Sequence, residues 1–133
     1  MKTVLVADDD HDTRDALAMI LTATGYHVCE ASDGAAALDL LRQQLVDLAL
    51  IDLRMPKFDG VALIRAMRTE PTLSNIPVLV MTALRGASVP SALPVLYKPF
   101  GVDSLLEAVR KSIAPAPIGP RGPRGSSKKS ISA

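Results

Sequence analysis

The sequence predicts an α/β domain in which a five-stranded parallel sheet carries helices on both faces. Three observations predict it. Short apolar runs alternate with segments of helical periodicity along most of the chain, and each parallel strand pair needs such a crossover. The run at 48–51 is apolar at every position, as a strand covered on both faces must be. The 133 residues, 48% of them hydrophobic, suffice for one core of this kind.

Thr3 to Ala7 is β-branched and apolar and ends in Asp8-Asp9-Asp10, a strand with carboxylates at its C-terminal end. Leu17, Ile20 and Leu21 then recur at helical spacing with Ala16 and Ala23 alongside; Asp10 or Asp12 can cap this helix and Gly25 can end it. His27 to Ala31 is a second strand, and Asp33-Gly34 opens a second helix with the stripe Ala37, Leu38 and Leu41, running to about Gln44. The third strand delivers Asp52, after which Met55-Pro56 and Asp59-Gly60 stop the pattern. Val61, Leu63, Ile64 and Met67 make a third helix closed by Pro71. The run 76–82 is a fourth strand ending on Thr82. Val95-Leu96-Tyr97 is a fifth, ending at Lys98-Pro99-Phe100, and Leu105, Leu106, Val109 and Ile113 stripe the last helix. Between Thr82 and Lys98, Gly86, Pro90 and Pro94 interrupt the helical pattern, so the helix due there is expected to be shortened or missing.

Composition excludes several function classes. Cys29 is alone and cannot form an internal disulfide, the N-terminus lacks a signal-peptide pattern, and no apolar run approaches the roughly 20 residues of a membrane span. A cytoplasmic protein with no membrane partner is expected. With no Trp, two Tyr and two Phe, there is little to stack on bases, and nucleic acid is not an expected partner. Arg121, Arg124, Lys128 and Lys129 all follow the last acid, Glu107, so a mildly acidic body precedes a basic tail. The tail is rich in Pro, Gly and Ser, and its glycines at 119, 122 and 125 have a period far too short-lived for a triple helix. The expected division is one domain over 1–114 and a disordered tail over 115–133.

The strand assignments bring distant residues to one place. Asp8 and Asp9 follow the first strand, Asp52 the third, Thr82 the fourth and Lys98 the fifth. Right-handed crossovers put all these strand ends on one sheet edge, where open α/β sheets bind ligands. Three crowded carboxylates take up protons or hold a cation, and oxygen-only ligands suit Mg²⁺, whose shell is completed by water and phosphate oxygens. A phosphoryl group is then the natural partner, because a carboxylate can attack phosphorus and the transfer needs mainly positioning and neutralised oxygen charge. Lys98 and Thr82 would supply the donors. Singly, each residue has a plainer use: acids at a helix start, a Lys-Pro turn, a strand hydroxyl, or Asp59-Gly60 as turn and helix-start chemistry. His11 and His27 have no partner at a ligand spacing. Joint placement after four strands is what points to chemistry.

On these residues the sequence resembles a response-regulator receiver domain of two-component signalling, over residues 2 to about 114. Val-Ala-Asp8-Asp9-Asp10 resembles the family's acidic pair, and Ile-Asp52-Leu-Arg-Met-Pro-Lys-Phe-Asp-Gly60 its phosphoacceptor loop. Met-Thr82-Ala resembles its switch hydroxyl and Tyr-Lys98-Pro-Phe its lysine. The resemblance implies a flavodoxin-like sheet of order 2-1-3-4-5. It implies that Asp52 takes a phosphoryl group from a sensor histidine kinase or phosphotransfer protein. It further implies that Asp9, Asp52 and the backbone carbonyl of Arg54 bind Mg²⁺, that Asp8 acts through water, and that Lys98 and Thr82 contact the phosphoryl oxygens. Two departures stand out. The segment from Thr82 to Lys98 is several residues shorter than is usual in the family, and the position three before the lysine, often Tyr or Phe, is Val95. Tyr97 shares the strand face of Val95.

The expected function is a phosphorylation-controlled switch without a fused effector, acting through a downstream protein partner and catalysing only its own phosphoryl transfer and dephosphorylation. Two alternatives stay open. One is a pseudo-receiver that binds a partner without phosphorylation. The other is an aspartyl-phosphate phosphatase with Asp8 as nucleophile and Asp10 as acid, against which the lack of a substrate cap counts. Residues 84–94 are expected to be the most mobile part of the body, ordered or re-placed on phosphorylation.

Overall fold

The computed structural model describes residues 1–83, 89 and 93–113. Among them the elements are β1 (Thr3–Ala7), α1 (His11–Thr24), β2 (His27–Ala31), α2 (Gly34–Gln43), β3 (Leu48–Asp52), α3 (Gly60–Thr69), β4 (Val78–Thr82), β5 (Val95–Tyr97) and α4 (Val102–Ile113). The strands form one parallel sheet of order β2-β1-β3-β4-β5, the flavodoxin-like order expected. The expected loss of a helix and the expected mobility at 84–94 fall on a stretch of which only Val89, Leu93 and Pro94 are described. The boundary at 114 and the tail lie outside the described residues.

Strand pleating explains why β3 and β4 are apolar at successive positions. Ala49, Ile51, Val78 and Val80 point to a core completed by Ala37, Leu41, Leu63, Ile64 and Met67 of α2 and α3. Leu48, Leu50, Leu79 and Met81 point the other way, to Leu17 and Leu21 of α1 and Leu105 and Val109 of α4. Each such buried Leu or Ile contributes about 1.5–3 kcal/mol relative to exposure. The same alternation divides β5, where Val95 joins the α2/α3 core and Leu96 the other.

The three crossovers through α1, α2 and α3 start alike, each on an aspartate. Asp10 rather than Asp12 caps α1, accepting the Thr13 N–H at 2.9 Å; Asp33 accepts from Ala36 at 2.8 Å and Asp59 from Ala62 at 2.9 Å. Gly25 ends α1 at φ 110°, a left-handed conformation that glycine adopts without Cβ strain. β4 starts at Val78, two residues later than the apolar run suggests, because Pro77 has no N–H for the ladder and enters it only by accepting from Ala49 at 2.9 Å. No helix among the described residues is long and apolar enough to cross a membrane.

Candidate functional site

Four strand ends meet at the carboxyl edge of the sheet. Asp8 follows β1 and is fully buried; Asp52 closes β3 and is 6% exposed. Lys98, directly after β5, joins them: its Nζ donates to Asp8 Oδ2 and to Asp52 Oδ2, both at 2.9 Å. The other oxygen of each carboxylate is used as well. Asp8 Oδ1 accepts the Asp10 N–H at 2.9 Å, and Asp52 Oδ1 accepts the Arg54 N–H at 3.0 Å. Two buried carboxylates are thus held by one ammonium and two backbone donors, as buried charges require.

Asp9 is exposed and completes the cluster. Asp8, Asp9 and Asp52 each offer a carboxylate oxygen, and these oxygens lie within 4.8 Å of one another. Arg54, whose carbonyl was expected as a ligand, lines a cleft of about 380 Å³ with Asp9, Leu53, Met55, Pro56 and Asp59. Thr82 is fully buried as the last residue of β4, one position beyond the Cα partner of Asp52, and its carbonyl accepts the Lys98 N–H at 2.8 Å. On the far side of Lys98 a largely apolar groove of about 490 Å³ opens between α1 and α4, lined by Ala16, Leu17, Ile20, Phe100, Val102 and Leu105. Asp59 serves as a helix cap, and His11 and His27 are exposed outside the cluster.

The electrostatics are opposed by design of the fold. Burial pushes the Asp52 carboxyl above the usual carboxylate range and the Asp8 charge adds to this, against the Arg54 N–H and Lys98. Burial alone would pull the Lys98 ammonium down, but its hydrogen bonds to Asp8 and Asp52 outweigh that and hold it above its ordinary value. The site therefore keeps a protonated lysine beside a carboxylate that is reluctant to ionise.

Sequence reasoning missed Arg14. Its Nη1 donates to the Asp8 carbonyl at 2.8 Å while its Nε lies 3.4 Å from Glu30 Oε1 on β2. An arginine just past the α1 cap hints at such a contact, but the Glu30 brace exists only once β2 is paired with β1.

These groups sit on one framework, and comparison identifies it. The model of the response regulator receiver domain matches residues 4–110, most of the chain. The chain belongs to this family. It is similar to response regulator MprA of Mycobacterium sp. (strain KMS), 36% identical over 113 residues, covering 80% of this chain and 48% of that protein. The chain thus spans about half the length of that relative. It is also similar to sporulation initiation phosphotransferase F of Bacillus subtilis, 31% identical over 114 residues, covering 81% of this chain and 90% of the relative. Among solved structures it is similar to the receiver domain of sensor histidine kinase PA1611 of Pseudomonas aeruginosa, with 26% identity, a TM-score of 0.75 and coverage of 84% and 97%. That structure holds a magnesium ion coordinated in its active site cleft. Membership of the receiver family places the chain in phosphorylation-controlled two-component signalling, and Asp8, Asp9 and Asp52 form an acidic pocket of the kind that binds Mg²⁺ in such domains.

Proposed function

We propose that Asp52 accepts a phosphoryl group from a histidine-phosphorylated kinase or phosphotransfer protein, and that the modified domain acts by binding a downstream protein. The observation that carries this is the Lys98 ammonium held 2.9 Å from a buried Asp52 that has a second and a third acid beside it. An Asp52 oxygen attacks phosphorus as the P–N bond to the donor imidazole breaks; the electron pair leaves with the imidazole nitrogen, which takes a proton. Lys98, already 2.9 Å from Asp52 Oδ2, then pairs with the phosphoryl oxygens, and the Thr82 hydroxyl moves to donate to them. The groove between α1 and α4 leaves the donor an open approach next to Lys98. No other substrate is turned over; the chain catalyses only its own modification and its reversal.

The donor set fits Mg²⁺. It is all oxygen, with one carboxylate oxygen from each of Asp8, Asp9 and Asp52 within 4.8 Å of one another, and oxygen ligands of this kind suit a hard divalent cation. Asp9, Asp52 and the Arg54 carbonyl would hold the ion directly and Asp8 through water. Once bound, it would neutralise charge on the transferring oxygens. The magnesium ion of the PA1611 receiver domain supports the same choice. A phosphatase acting through Asp8 fits less well, because that carboxylate is fully buried and Asp10, its acid, is spent on the α1 cap. The test is intact mass after treatment with a small-molecule phosphodonor. Addition of one phosphoryl group only when Mg²⁺ is present is expected; no addition under either condition would leave the pseudo-receiver.

A further inference from the structure

We infer that Gly34, the first residue of α2, is a positioning residue for the phosphoryl-transfer site, although it belongs to a different element and touches none of the reacting groups. It lets the Phe58 carbonyl lie against the start of α2, and this sets the path of the loop at 53–59 that carries Arg54. The inference rests on the reading of Asp52 and this loop given above.

The contact is unusually close. A Cβ on Gly34 would lie 1.8 Å from the Phe58 oxygen, 2.7 Å from its carbonyl carbon and 2.9 Å from its Cβ. Two of those atoms are backbone, so no flexible side chain can swing aside and the loop itself must move by roughly an ångström. The polarity suits the place, since a carbonyl oxygen at a helix start meets the positive end of its dipole. The loop has little slack to absorb a shift. At one end Leu53 donates to the Met81 carbonyl at 3.1 Å, and Gly60 donates back to the Leu53 carbonyl at 3.1 Å. At the other, Phe58 packs into the α2/α3 core, and Lys57, at φ 66°, reaches Asp33 of the α2 cap at 3.7 Å. Displacement at Phe58 is therefore passed back toward Arg54 and Asp52. Ligand positions tolerate only about 0.5 Å of error.

The test compares Gly34→Ala with wild type in the full chain by calorimetric Mg²⁺ titration. The dissociation constant should rise about tenfold, a typical loss for a group that orients metal ligands. Labelling by a small-molecule phosphodonor should slow at low Mg²⁺ and recover at saturating Mg²⁺. Leu41→Ala, also in α2, serves as the control: it should lower the melting temperature yet keep Mg²⁺ affinity within about twofold. Phe58→Ala, which frees the same carbonyl without adding atoms, should weaken Mg²⁺ severalfold and covers the case in which Gly34→Ala does not fold. Wild-type affinity in Gly34→Ala or Phe58→Ala, or an equal loss in Leu41→Ala, would overturn the inference. Wild-type protein that neither binds Mg²⁺ nor takes a phosphoryl group would remove the site reading itself, and the inference with it.

Discussion

Two loops flank the acids, and they differ in how far they depend on distant elements. The first, residues 8–10 between β1 and α1, is tied mainly by its own neighbours: Asp8 accepts from Asp10, Asp10 from Thr13, and Arg14 donates to the Asp8 carbonyl, while the Asp8 N–H on Ala31 of β2 and Lys98 on its carboxylate are its distant ties. The second, residues 53–59 between β3 and α3, is closed locally by Gly60 on the Leu53 carbonyl but leans more on distant elements: Met81 of β4, and Asp33 and Gly34 at the start of α2. A self-tied loop survives changes elsewhere. A remotely tied one transmits them, which is what a switch needs at the residue that is modified.

The largest effect that would break this contrast is at Gly60. A Cβ there would lie 2.4 Å from the Asp52 carbonyl oxygen and 2.7 Å from Leu53 Cα, both backbone. Gly60→Ala should cost about 3 kcal/mol in denaturant unfolding and slow phosphodonor labelling, because the collision is with the phosphoacceptor's own main chain. An unchanged unfolding midpoint would mean that the second loop is looser than described.

Next is Lys98, the tie between the two loops. Lys98→Met leaves two buried carboxylates facing each other, and with the lysine side chain 22% exposed the cost near neutral pH should be about 2 kcal/mol. Mg²⁺ should then stabilise the variant more than it stabilises wild type, since the ion replaces the missing charge. Equal Mg²⁺ stabilisation in both proteins would separate the lysine from the acid cluster.

Much of this was legible in the sequence, for a physical reason. Strand ends, caps and apolar stripes are set by residues close in the chain, so the placement of Asp8, Asp9, Asp52, Thr82 and Lys98 on one edge followed from five strands and their crossovers. Where two nearby acids could cap α1, composition left the choice open, and the backbone geometry at Asp10 decided it. The contacts that were not legible all cross between elements. Asp33-Gly34 was readable as a helix start, but not the Phe58 carbonyl against it; Arg14 was an ordinary helix residue until β2 brought Glu30 alongside.

A smaller effect sharpens the comparison through pH. Because the Asp52 carboxyl is held above its ordinary 3.8, the folded protein binds that proton more tightly than the unfolded chain does. The associated stability is complete below about pH 3.8 and is lost as pH rises through the raised value. Asp52→Asn lacks this loss. Its melting temperature should match wild type at the acid end, rise above it as pH increases, and stay higher by a constant amount at neutral pH. A pH-independent difference would contradict the burial argument.

The smallest effect is expected in the first loop. Asp10→Ala removes a cap but leaves the Asp10 N–H on Asp8, so the melting temperature should fall less than in Gly60→Ala and Mg²⁺ affinity should hardly change. A large loss of Mg²⁺ binding would show that the first loop is no more self-sufficient than the second.

The most direct test of the account is to locate the phosphoryl group. Protein labelled by a small-molecule phosphodonor in the presence of Mg²⁺ is reduced with borohydride, which converts an aspartyl phosphate to homoserine, and its peptides are sequenced by mass spectrometry. Homoserine at position 52 and at no other aspartate, with none in Asp52→Asn, is the predicted result. Homoserine at position 8, or undiminished labelling of Asp52→Asn, would contradict it.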